Sequence, residues 1–284
     1  MRRVLLATIL LAVGVAPAYG ISAGRIIAKL NAERAKLGML PVKEKRAWSR
    51  ACRRHDRWEI RNNTISHAET KGTPGYTKSG KWAGAHSDLA FGPGWRHGNP
   101  WGNAPLHLMS LYDPRLKVAG ADETGRFGCF TITGYVHDRY RAQPGVPPAD
   151  HVFTYPAGGT AAPYAQLAFE SPYTPQEKVG IAYRHVTGPY LYVFGLTEAP
   201  APHADALDRL LRGSLIEAGS GREVETRVID KQVGVLAPTG AGILLPVDPL
   251  KKRTRYTATA VLASPSGREV THTWSFRTTK RKRR

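Results

Sequence analysis

Two histidines, His67 and His107, and the acidic or hydroxyl residues Glu69, Ser87 and Asp88 are the side chains here whose types and spacing could do chemistry. In Ser66-His67-Ala68-Glu69 an imidazole and a carboxylate stand two apart, and in an extended segment such residues point the same way. That pairing suits a metal ligand with a supporting carboxylate, or a general base with its orienting partner. His107 sits on an apolar helical turn with Leu108 and Leu111; after an Asp113-Pro114 turn, Leu116, Val118 and Ala119 continue as extended chain. A lone histidine at the rim of a core is more often a satisfied structural residue than a ligand. Two neutral imidazoles could hold zinc or another divalent ion, but a catalytic zinc has three protein ligands and an open position, so Glu69 or Asp88 would have to be the third. Ser87 as a nucleophile would need a histidine within reach and an oxyanion hole, and no G-x-S-x-G elbow frames it.

The elements that must position these residues read as follows. Ile26, Ile27, Leu30, Arg34 and Leu37 fall at helical spacing, and Gly38 ends that helix. Pro41 opens a second helix with an inner face of Trp48, Ala51, Cys52, His55 and Trp58 or Glu59, and an outer face dense in Arg and Lys. Asn62-Asn63-Thr64 stops it; Asn62 also forms an N-x-T sequon, with nothing else to suggest glycosylation. A Gly/Pro-rich loop follows through Gly72, Pro74, Gly75 and Gly80. Residues 84–98 read as loop too, with a possible short turn at Asp88 to Phe91. Arg126 to Tyr135 is a strand, joined to Val118 to Ala121 by a hairpin turn at Asp122 to Gly125.

The chain has 284 residues, room for two domains, and its 42% hydrophobic content makes a globular protein the expectation. Residues 1–20 read as a secretory signal: Arg2 and Arg3, an apolar run from Val4 to Val15, and Ala18-Tyr19-Gly20 as a small-x-small cleavage pattern. The run is too short to span a bilayer and no later segment comes close, so no transmembrane segment is expected in the mature chain. Without Arg2 and Arg3 the 41 Lys+Arg become 39 against 22 Asp+Glu, a formal +17. So basic an exported protein should adhere to anionic cell-wall polymer or lipid. Specific nucleic-acid binding would need basic residues gathered on one face with interleaved aromatics, which the linear sequence does not display. The terminal run 280–284, KRKRR, reads as a solvated, frayed tail.

In an oxidising compartment the two cysteines allow one pairing. Cys52 lies on an expected helix and Cys129 on an expected strand, and a bridge would contribute about 4 kcal/mol by loop closure; two free buried thiols are the competing reading. Residues 139–150, RYRAQPGVPPAD, have the composition of a linker. Beyond it, short alternating or β-branched runs recur: His151 to Tyr155, Tyr164 to Phe169, Tyr190 to Leu196, Glu225 to Ile229, Ile243 to Leu245, Tyr256 to Leu262 and Thr271 to Arg277. That count suits a β-sandwich. Asp205 to Ala218 fits helix or strand, and Trp274 reads as core.

The order Asn31-x-x-Arg34, His55, Ser66-His67-Ala68-Glu69, Pro74-Gly75-Tyr76-Thr77, Ser87-Asp88-Leu89-Ala90, Ala104-Pro105-Leu106-His107, Asp113-Pro114 and Val118-Ala119-Gly120 resembles the CAP superfamily of cysteine-rich secretory, antigen 5 and pathogenesis-related proteins, in its bacterial secreted branch. The likeness covers about Arg25 to Gly134. It implies an α-β-α sandwich with a cleft gathering two histidines, matched by His67 and His107, and two acidic residues. Ser87 stands where one family glutamate would sit, with Asp88 beside it, and the span of the other is a glycine-rich loop ending at Trp101; Glu69 is the best substitute. The closing segment, with Thr273-Trp274-Ser275-Phe276-Arg277-Thr278, resembles bacterial immunoglobulin-like modules. The expectation is thus an α+β chain: signal peptide 1–20, CAP-like domain 21–138, linker 139–150, immunoglobulin-like sandwich 151–279 and basic tail 280–284. Its expected role is non-catalytic binding outside the cell or at the envelope through a His-lined cleft, with a metal-assisted hydrolase or protease acting on an envelope component as the alternative.

Overall fold

A computed structural model describes residues 21–132, 151–171, 174–196, 208–230, 233, 241–264 and 266–283; the expected signal segment and linker lie outside them. The described residues mix α and β and are mostly β, with four α-helices and thirteen strands in four sheets.

Helix α1 (Ala23–Lys36) begins where the Ser22 hydroxyl accepts from the Arg25 amide, and buries Ile26, Ile27, Leu30 and Arg34 along one stripe. Arg34 is fully buried because its guanidinium has four backbone carbonyls to serve: Leu40 at 3.1 Å, Leu111 and Asp113 at 2.8 Å each, and Leu116 at 3.3 Å. Helix α2 starts at Arg46, not at Pro41. The residues between make strand β1 (Lys43–Glu44), parallel to β3 (Val118–Ala119), because the Lys43 and Lys45 amides are claimed by the carbonyls of Lys117 and Ala119. Helix α2 (Arg46–Asn62) ends at Asn63, whose φ of 47° is the left-handed stop that asparagine tolerates.

The two glycine-rich stretches fold more regularly than their composition suggests. Residues Lys78–Ala85 form helix α3, capped by the Thr77 hydroxyl on the Gly80 amide at 2.8 Å. Its glycines allow close approach: a Cβ on Gly80 would lie 2.2 Å from Glu69 Oε1, and one on Gly84 would lie 2.4 Å from the His55 ring on α2. Ser87–Phe91 is strand β2, which pairs antiparallel with β5 (Phe127–Thr131); β4 (Ala121–Thr124) pairs on the other side of β5. The hairpin turn is therefore at Gly125-Arg126, with Gly125 at φ 64°, and Asp122 to Thr124, expected in the turn, belong to strand β4. Helix α4 (Pro105–Leu111) follows the Trp95, Trp101 and Phe130 cluster. The Cys52–Cys129 disulfide ties α2 to β5, with Cα atoms 5.4 Å apart.

In the second half, β6 (His151–Tyr155), β8 (Leu191–Leu196), β10 (Thr226–Ile229) and β11 (Ala241–Pro246) form one antiparallel sheet in the order β10-β11-β8-β6. A second has the order β7-β13-β12-β9, from β7 (Ala161–Ala162), β9 (Arg209–Glu217), β12 (Arg255–Ala263) and β13 (Glu269–Thr278). The ambiguous segment is thus strand over Arg209–Glu217, and its first three residues, 205–207, lie outside the described residues. Tyr164 to Phe169, expected as strand, is irregular, and a short 3-10 helix spans Pro175–Val179. Leu191, Val193 and Leu244 pack with Leu215, Tyr256, Ala258 and Phe276 of the facing sheet, and Trp274 is in that core. The alternate residues Tyr192, Phe194, Ile243 and Leu245 belong to a different cluster, shared with Leu108, Tyr112 and Phe130 of the first half. A sheet covered on both faces reads as a continuous apolar run, which is why β11 is AGILLP without alternation.

Residues 280–283 of the tail are not frayed. Arg283 donates its amide to the Ala165 carbonyl at 2.9 Å, its carbonyl accepts from the Leu167 amide, and its guanidinium lies over the Tyr155 ring. The polar backbone of the irregular 164–167 segment needs these partners, so it holds the tail down.

Candidate functional site

The residues singled out in the sequence do not form one cluster. His67 is exposed, with its Nδ1 2.8 Å from the Gly84 carbonyl. Glu69 is buried and faces the other way: Oε1 lies 3.0 Å from His55 Nδ1 and Oε2 accepts from the Thr77 amide at 3.0 Å. The segment between them is bent, with the Ser66 hydroxyl accepting from the Ala68 amide, so the same-side placement of an extended chain does not apply. Glu69 is thereby a buried support for His55, which also lies 3.5 Å from Glu59 on the next turn of α2. Burial opposes the charge on His55, but the two carboxylates outweigh it and raise its pKa.

Strand β2 separates Ser87 from Asp88. Successive side chains on a strand point to opposite faces. The Ser87 hydroxyl oxygen lies 3.2 Å from Cys129 Sγ and 3.9 Å from Cys52 Sγ, buried against the disulfide. Asp88 projects to the other side, where its carboxyl is buried and Oδ2 has no hydrogen-bond partner. Burial pushes the Asp88 pKa up to about 7, against the pull of His107 and with the repulsion of Glu170.

His107 is the histidine with a built environment. It is the third residue of α4, whose N-cap position is Ala104 and supplies no side-chain cap. The orphan amides find their acceptor far away in sequence. Glu170, in the irregular segment of the second half, accepts from the Leu106 amide at 2.9 Å and the His107 amide at 3.0 Å, and its Oε1 also receives His107 Nδ1. The Phe169 amide, bonded to the Asn103 carbonyl at 2.7 Å, fixes the approach. Burial lowers the His107 pKa, but Asp88 and then Glu170 raise it to about 9. The ring is thus an imidazolium at neutral pH, with 22% of its side chain exposed and Nε2 unpartnered among the described residues.

The structure therefore joins His107 and Asp88 of the sequence-derived set, adds Glu170, and sends Glu69 and Ser87 to structural tasks. One sequence signal could have pointed to Glu170: a helix opening Ala104-Pro105 with no Ser, Thr, Asp or Asn to cap it must borrow an acceptor. The arrangement can donate a charge-assisted hydrogen bond from Nε2 to an anion. Among the described residues, no group of three or more His, Cys, Asp or Glu is placed to hold a metal ion, and no helix is long and apolar enough to cross a membrane.

No family model matches the sequence, and no curated protein matches it. Among solved structures, the copper-resistance protein PcoC of Escherichia coli aligns over 47% of this chain and all of its own, with 11% identity and a TM-score of 0.28. A likeness that low carries no inference about fold or function.

Proposed function

We propose that this chain is an exported, non-catalytic binding protein: a divergent CAP-type α-β-α domain joined to an immunoglobulin-like sandwich, taking an anionic group of an envelope component at His107. The observation that carries the reading is the His107 imidazolium held between buried Asp88 and Glu170, with Nε2 left over. The order of motifs from Asn31 to Gly120, together with α1, α2 and α4 around the β2-β5-β4 sheet, supports the CAP assignment. The two facing four-stranded sheets support the second. Ser87, the candidate nucleophile, is buried against the disulfide, which disfavours nucleophilic catalysis through it.

One observation favours a metal-assisted hydrolase as a second reading. His67 and His107 each engage Nδ1 with an oxygen acceptor, which leaves Nε2 as the outward nitrogen, as in metal-bound histidines. Two imidazoles fall one short of the usual protein ligand set, and a histidine titrating near 9 binds protons in competition with a cation.

The test is an NMR titration of the histidine ring nitrogens with inorganic phosphate and with acetate. A saturable shift at His107 Nε2, absent in His107→Ala and retained in His67→Ala, is the expected result. Stoichiometric zinc on the purified protein, lost in both variants, would overturn binding in favour of hydrolysis.

A further inference from the structure

Helix α2 carries Arg46, Arg50, Arg53, Arg54, Arg57 and Arg61, all exposed, at successive separations of three or four residues along either edge of one face. That spacing gathers them into one stripe, with a guanidinium about every 6 Å along about 22 Å of helix. The buried residues Ala51, Cys52, His55, Asp56 and Glu59 lie on the opposite face, so both acids of the helix are withdrawn from the surface. Arg53 pairs with Asp122 at 3.0 Å and Arg54 donates to the Ser79 hydroxyl at 2.7 Å. Arg46, Arg50, Arg57 and Arg61 have no acidic partner among the described residues. An unneutralised row of like charges costs folding free energy through self-repulsion, and a bound polyanion would relieve it.

Beside the start of this row stands a ladder of half-buried rings: Lys45 over Trp48 at 4.2 Å, Trp48 against Trp82 at 5.4 Å, and Trp82 stacked on His86 at 4.9 Å. Trp82 is stacked on His86 and tilted at 41° against Trp48, so these half-buried rings are engaged with one another and are not an open row of platforms for nucleic-acid bases. The stripe itself has one large exposed apolar residue near it, Ile60, which is too little for insertion into a bilayer. The surface presents charge at a regular pitch, in the side chain suited to phosphate, and little else.

We propose that the arginine face of α2 docks a linear phosphodiester polymer of the wall type, a poly(alditol phosphate), whose successive phosphates meet successive guanidiniums. Where the polymer is encountered rests on the chain being exported; the docking surface itself is independent of the His107 site. The phosphates are held by bidentate hydrogen bonds, and the polymer is released as salt rises.

The test uses the full chain, with purified poly(glycerol phosphate), a dT20 oligonucleotide and phosphatidylglycerol vesicles as probes, over a range of salt. The variants are Arg50→Ala, Arg57→Ala and Arg61→Ala combined, against Arg255→Ala, Arg277→Ala and Arg281→Ala as an equal removal of charge elsewhere. The helix triple is expected to lower affinity for the polymer at least about tenfold and to reduce the slope of log affinity on log salt by about two to three, one for each phosphate no longer neutralised. The distant triple should leave that slope within about one of the parent's. Arg57→Ala alone, with a slope change of about one, keeps the test open if the triple does not fold. An equal effect of the distant triple would show undirected charge attraction and overturn the proposal. So would tighter binding of dT20 or of vesicles than of the polymer. The phosphate-induced shift at His107 Nε2 should persist in the helix triple, whose substitutions lie outside that site, so failure at α2 and failure at His107 are separate results.

Discussion

Glu170→Gln removes a charge from the His107 environment while keeping an amide oxygen able to accept from the α4 amides. In the parent, His107 titrates near 9 against an ordinary 6.5, a preference for the charged ring of about 3 kcal/mol. Burial works against that preference, Asp88 is its largest support and Glu170 follows, so the variant should lose roughly one to two pKa units. Because the folded pKa lies above the unfolded one, the stabilisation is fully present below about pH 6.5 and disappears as pH rises through about 9. Parent and variant should therefore differ most in unfolding free energy near pH 6, by about 1.5–3 kcal/mol, and converge above pH 9 apart from any loss in capping. Ring-nitrogen NMR gives the pKa and denaturant unfolding at several pH values gives the stability. A variant His107 titrating within half a unit of the parent would refute the reasoning and leave Asp88 alone as the charge holding the proton.

Two further outcomes concern buried connections, one polar and one covalent. Arg34→Ala should destabilise the fold by about 3–5 kcal/mol in denaturant melts, since it strands buried carbonyls at Leu40, Leu111, Asp113 and Leu116; a loss below about 1 kcal/mol would mean water replaces the guanidinium. Cys52→Ser with Cys129→Ser opens a connection across a sequence separation of 77, worth up to about 4.5 kcal/mol by loop closure. Thermal melting of this variant and of the reduced parent should fall together, and an unchanged melt would remove the disulfide from the stability of α2 on β5.

Periodicity made much of the frame legible. The α1 stripe, the inner face of α2 with Cys52 and His55, the pairing of Cys52 with Cys129, and most second-half strands follow from local spacing or from a forced choice of partner. Glycine content misled at α3, because Gly80 and Gly84 answer to the closeness of Glu69 and His55 and not to a turn; β2 itself holds no glycine and is fixed by its pairing with β5. A purely apolar β11 concealed its alternation for a similar reason: both faces are buried, one against the facing sheet and one against the first half.

His107 could be marked from sequence as a histidine on an apolar turn, and the arginines of α2 as an outer face. What made either of them chemically meaningful came from contacts between residues distant in the chain. Glu170 reaches α4 from more than sixty positions away, Asp88 turns toward His107 because Ser87 takes the disulfide side of β2, and the acids of α2 are hidden by packing. Residue types and local spacing are properties of the chain order. The pKa of an imidazole, and the partner left for a guanidinium, depend on burial and on charges a few ångströms away, which only the folded arrangement decides.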